Sequence, residues 1–154
     1  MCACKRACVR VCVFLSVCLC IRMCIYVVGG VKRFLVTQQK AGVDMTNKWT
    51  GVEHALAAIN KACCSNKPNI AMLHANDGMA LLIRLLDRAA GAKVREFAAL
   101  AIVNACSGST WDSFPVWKDD ASVKLNLLCD DDSATENARK YAAGALKMVT
   151  SKGK

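Results

Sequence analysis

Residues 53–63 (EHALAAINKAC), 97–107 (FAALAIVNACS) and 141–151 (YAAGALKMVTS) read as one helix written three times, each copy 44 residues after the last. Ala55, Ala99 and Ala143 fall in register, as do Ala57, Ala101 and Ala145, and Asn60 pairs with Asn104 at the same offset. A fixed all-helical period of about 40–47 residues marks a stacked array in which each unit buries its apolar face against its neighbours. Small side chains let such helices approach closely, while Leu56, Leu100, Ile102 and Leu146 fill the holes between them. A bulky residue at Ala99 or Ala143 is therefore expected to overpack the core.

The stretches between the copies fit the same plan. The first helix is expected over 50–64, closed by Ser65 to Pro68. A short helix follows at 69–74, and Asn76-Asp77-Gly78 makes a break rich in turn residues. Residues 79–88 form an amphipathic helix with Leu81, Leu82, Leu85 and Leu86 at helical spacing. After Ala89-Ala90-Gly91 comes a long helix over 93–106. Residues 107–120 depart from the pattern, with Trp111, Phe114, Pro115 and Trp117 where a first helix belongs; these aromatics are expected to seal the junction. A helix over 121–129 carries Val123, Leu125, Leu127 and Leu128. Asp130-Asp131-Asp132-Ser133 reads as a loop whose acids favour the N-terminus of the last helix, 135–151, and residues 152–154 are expected to fray.

The net charge of +9 is unevenly placed. Residues 1–44 hold seven Lys/Arg and one acid, so the basicity belongs mostly to this leader. No Lys/Arg stripe with interleaved aromatics follows, and nucleic acid is not an expected partner. Seven of the eleven cysteines lie in the first 24 residues. Cys63, Cys64, Cys106 and Cys129 sit inside helical patterns, as reduced core cysteines do, which points to a reducing compartment and a cytoplasmic location. The leader, residues 1–44, admits three readings. It is a signal with a basic end and an apolar stretch at 11–21, a membrane anchor interrupted by Arg22, or a low-complexity extension outside the fold. A membrane partner is expected only if the apolar segment 11–28 is a real anchor. The body is expected over 45–154, divided as a partial repeat at 45–66, a full repeat at 67–108 and a degenerate one at 109–151.

Enzymatic chemistry has little support. His54 with Cys63 or Cys64, or with His74, matches no closed Cys/His ligand spacing. Cys63 and Cys64 point about 100° apart on a helix. Asn76-Asp77-Gly78 lacks the ligand series of a calcium loop, and Gly29-Gly30 stands alone as a phosphate-loop candidate. No cofactor or metal is expected, and no catalytic residue is assigned.

Residues 69–106 resemble an armadillo repeat. More narrowly, the series 53–62, 94–106, 121–132 and 138–151 (EHALAAINKA, VREFAALAIVNAC, ASVKLNLLCDDD and ARKYAAGALKMVTS) is similar to the UCS-domain myosin chaperones. The resemblance covers about 100 residues, a length in which armadillo-like repeats of 40–47 residues fit about two and a half times. It implies an all-α, right-handed superhelical solenoid and a non-enzymatic, protein-binding module. Its expected partners are a myosin motor domain and a heat-shock chaperone. The alternative is a generic armadillo scaffold in a cytoskeletal or trafficking complex. In armadillo folds the third helices line a groove, and an Asn on each clasps an extended peptide; an amide suits this because it both donates and accepts. Asn60 and Asn104 match that position, with Leu56 and Leu100 one turn earlier, so these four are the expected groove residues. Met148 breaks the ladder in the third copy. Nuclear-import receptors carry Trp where Leu56, Leu100 and Gly144 stand here, which argues against that activity. Members of the chaperone family usually have a longer series, and many add a tetratricopeptide module that docks a heat-shock chaperone.

Overall fold

The structure, a computed structural model, describes residues 29–30, 49–108 and 118–151. The readings of residues 1–28 and 31–48 in the leader, of the aromatic stretch 109–117 and of the fraying at 152–154 lie outside the described residues. Those described contain helices and no strand: α1 (Trp49–Cys63), α2 (Lys67–Ala75), α3 (Gly78–Arg84), α4 (Ala92–Gly108), α5 (Lys118–Cys129) and α6 (Glu136–Ser151). Gly29 and Gly30 are also helical.

Local chemistry sets most of the boundaries. Asn66 caps α2, its side-chain oxygen accepting from the Asn69 N–H at 3.2 Å. Pro68 then occupies the first turn, where its missing N–H costs nothing. Between α2 and α3, Asp77 is left-handed at φ 53°, a conformation Asp tolerates better than most residues. Gly78 follows because the chain passes close to α2: a Cβ there would lie 2.7 Å from the Leu73 carbonyl oxygen. The helix expected over 79–88 ends at Arg84 instead. The Leu85 N–H is shared between the Leu81 and Leu82 carbonyls, and Leu86 and Asp87 then bond three residues back, a tightening that stops the α-helix. Thr135 caps α6 by accepting from the Ala138 N–H at 3.0 Å, and Glu136 supplies the first-turn acid.

The three copies of the recurring helix are α1, α4 and α6. They pack in succession, α1 against α4 and α4 against α6, and α1 and α6 have no comparable interface. Helix α5 lies along α6, while α2 and α3 pack on each other and on α4. One continuous core runs from α1 to α6. Leu56, Ile59, Ile70, Leu73, Leu82, Ile102, Leu125 and Leu128 are among its fully buried members. Each such side chain stabilises by about 1.5–3 kcal/mol relative to an exposed one. The register alanines are not equivalent. Ala99, Ala101 and Ala145 are fully buried, and Ala55 and Ala57 half-buried. Ala143 is exposed, so the crowding expected there is confined to Ala99. Gly144 explains the looser contact beside it: a Cβ would lie 3.8 Å from Val103 Cγ2, an ordinary van der Waals distance. Among the described residues, no helix is long and apolar enough to cross a membrane.

Candidate functional site

The surface to which the recurrence draws attention is the α1–α4 seam. The structure brings Asn60 and Asn104 together and spends them largely on each other. Asn60, 7% exposed, donates its amide to the Phe97 carbonyl at 3.0 Å. Its Oδ1 accepts from Asn104 Nδ2 at 3.1 Å. The pair is thus a polar stitch between neighbouring helices, and only Asn104 is half-exposed. Leu56 does not line an open surface: it is 0% exposed, in the core, because α4 and the rest of α1 close over it. Leu100 is half-buried and stands outside the continuous core. Of the four expected groove residues, then, Leu100 and Asn104 face partly outward, Asn60 sits beneath them and Leu56 is structural. Nearby, Lys93 Nζ lies 5.9 Å from the Phe97 ring centroid, a cation–π distance.

A second polar cluster, unexpected from the sequence, ties α4 to the turn before α6. Asp131, 3% exposed, receives Arg88 Nε at 3.2 Å and Arg88 Nη2 at 3.0 Å, a bidentate pair. Arg95 Nη1, also buried, donates to the same carboxylate at 2.5 Å. The Ser133 hydroxyl and N–H donate to Asp131 Oδ1 at 2.7 and 3.0 Å. One residue on, the buried carboxylate of Glu96 accepts from Thr135 Oγ1 at 2.8 Å. The sequence reads the acids of 130–132 as a loop whose charge favours the N-terminus of α6. Asp131 instead turns inward, because two arginines and a serine satisfy its oxygens there. The hint in the sequence was a charged pair, Arg95-Glu96, set between Val94 and Phe97 in an otherwise apolar helix.

Beside this cluster lies a cleft of about 340 Å³, lined by side chains including Leu86, Asp87, Arg88, Lys124, Leu127 and Asp131. Four of its charges are matched in pairs, since Lys124 bridges Asp87 at 3.1 Å and Arg88 holds Asp131, and Asp130 also lines it. Hydrogen bonds from Arg88, then from Ser133, hold the Asp131 carboxyl well below the usual carboxylate range, so it stays anionic and makes a poor proton acceptor. Burial, with help from Asp130, pushes the Cys129 thiol up, away from thiolate chemistry. Burial likewise lowers His74. Cys63 and Cys106 are buried free thiols. Among the described residues, no group of three or more His, Cys, Asp or Glu could hold a metal ion. No family model matches this chain, and no curated protein and no solved structure matches it either.

Proposed function

We propose that this chain is a non-enzymatic, protein-binding module of the armadillo kind, a short right-handed solenoid related to the UCS-type myosin chaperones and working in the cytoplasm. The observation that carries the reading is the recurrence itself: the residues that repeat every 44 positions lie on α1, α4 and α6, the helices that pack in succession. Stacked units of this type bind through the long surface their equivalent helices share. The client is an extended or partly unfolded segment of a myosin motor domain, received at Leu100 and Asn104, and a heat-shock chaperone acts alongside. No catalytic step is assigned to it.

The burial of Asn60 favours a second reading. A ladder whose first amide is already satisfied grips a peptide less completely, and a generic scaffold in a cytoskeletal or trafficking complex needs no such ladder. The full chain, tested for suppression of thermal aggregation of a myosin motor domain, separates the two. Suppression that is absent for an unrelated aggregating protein, and reduced by Leu100→Ser or Asn104→Ala in variants that still melt as folded helices, supports the chaperone reading. No suppression by folded protein leaves the scaffold.

A further inference from the structure

Helix α5 turns Leu125 and Leu128 into the core and leaves two large apolar side chains in solvent, Val123 at 58% and Leu127 at 66% exposed. The two stand four residues apart, on one face of the helix. Acids extend that stripe at both ends, with Asp120 three residues before Val123 and Asp130 three residues after Leu127. Asp130 continues the helical surface, because its N–H still bonds the Asn126 carbonyl at 3.2 Å. A 3, 4, 3 spacing is that of the seam along which two helices pack side by side. Asp119 and Asp120 suit the first turn of α5, where the helix dipole favours negative charge. Asp130 stands at the opposite end, where the dipole opposes it. Among the described residues, none of these three carboxylates has an ion-pair partner.

Leu127 and Asp130 also line the cleft of about 340 Å³, together with the buried Leu86 and Leu128. The bases facing this surface are already engaged: Lys124 is 21% exposed and bridges Asp87, and Arg88 holds Asp131. Acids of the stripe and cleft outnumber bases five to two, on a chain whose net charge is +9. We infer that the outer face of α5 docks a helix of a partner protein that carries two apolar side chains bracketed by Lys or Arg at the same 3, 4, 3 spacing. Its apolar pair covers Val123 and Leu127 and enters the cleft beside Leu86, while its bases meet Asp120 and Asp130. Charge complementarity selects this occupant over a second copy of the chain. The spacing reads the same in both directions, so an antiparallel copy sets Asp120 against Asp130 and a parallel copy sets each acid against itself. Like charges so placed repel. The contact is made on α5, independently of Leu100 and Asn104 on α4.

The test titrates the full chain into a fluorescent alanine-rich helical peptide that carries two leucines four residues apart and a lysine three residues outside each, read by anisotropy. The expected result is saturable binding that weakens as salt rises. Leu127→Ala should weaken it about tenfold, as loss of an interface anchor does, and Asp130→Asn about two- to fivefold, as loss of a rim ion pair does. Both change exposed side chains, and an unchanged melting curve shows that each variant is folded. A matched peptide with glutamate in place of both lysines should not bind, a comparison that needs no variant of the protein. Absence of saturable binding by the lysine peptide overturns the proposal, as does equal binding of the two peptides or binding that neither variant weakens. So does a dimer, seen by sedimentation, that Leu127→Asp converts to monomer, because the face then belongs to a second copy.

Discussion

Asp131 concentrates more of the fold's polar order than any other single side chain described. Its carboxyl is held below its ordinary value of 3.8, first by Arg88 and then by Ser133. A depressed value in the folded state means that the stabilisation is complete above the ordinary value and is lost as pH falls through and below it. Thermal melts should therefore show no pH-dependent change from this group between pH 7 and 5 and a loss of stability below about pH 3.8, a component missing in Asp131→Asn. Arg95 is 5% exposed, and Arg95→Ala leaves a buried carboxylate with one arginine instead of two. The expected cost is about 3 kcal/mol, the lower end for a broken buried pair, read by urea unfolding. None of this was legible in the sequence. A run of three Asp followed by Ser reads as a solvated loop, and which acid turns inward depends on where the arginines of another helix arrive. The Asn60/Asn104 pair was half legible: the offset set the two side by side, but not that they would bond to each other.

The elements themselves were more legible. The helical period, Asn66-Lys67-Pro68 and Asn76-Asp77-Gly78 placed α1, α2, α4, α5 and α6 to within a few residues, because caps and breakers act locally. The end of α3 was missed, since nothing between Leu85 and Arg88 marks a switch to three-residue hydrogen bonding. Burial separates two positions that the recurrence treats alike. Ala99→Leu should cost about 1–3 kcal/mol by overpacking, whereas Ala143→Leu should stay within about 0.5 kcal/mol; paired denaturant melts compare them. Gly144, in the middle of α6, has room for a methyl group. Gly144→Ala should stabilise by about 0.5–1 kcal/mol, seen as a raised urea midpoint with unchanged slope.

At the scale of the whole molecule, α4 is the shared wall. Since α1 and α6 have no comparable interface, the coupling between the two ends of the core runs through α4. One buried cluster spans them, so far-UV circular dichroism and tryptophan fluorescence should give coincident urea transitions; two separated transitions would show that the ends unfold independently. The order of packing was readable from the recurrence, because a unit that repeats at a fixed interval meets its copies in sequence. Apart from the Asn60–Asn104 bond, the polar ties across it were not, because they depend on side chains outside the repeating positions.

The turn between α5 and α6 carries a consequence for timing. Its composition is that of a fast-exchanging surface loop, yet the Ser133 N–H is held by a carboxylate that two arginines anchor, one of them on α4. Deuterium reaches that amide only when the turn lets go of α4, so the most acidic stretch of this chain keeps the clock of the interface behind it.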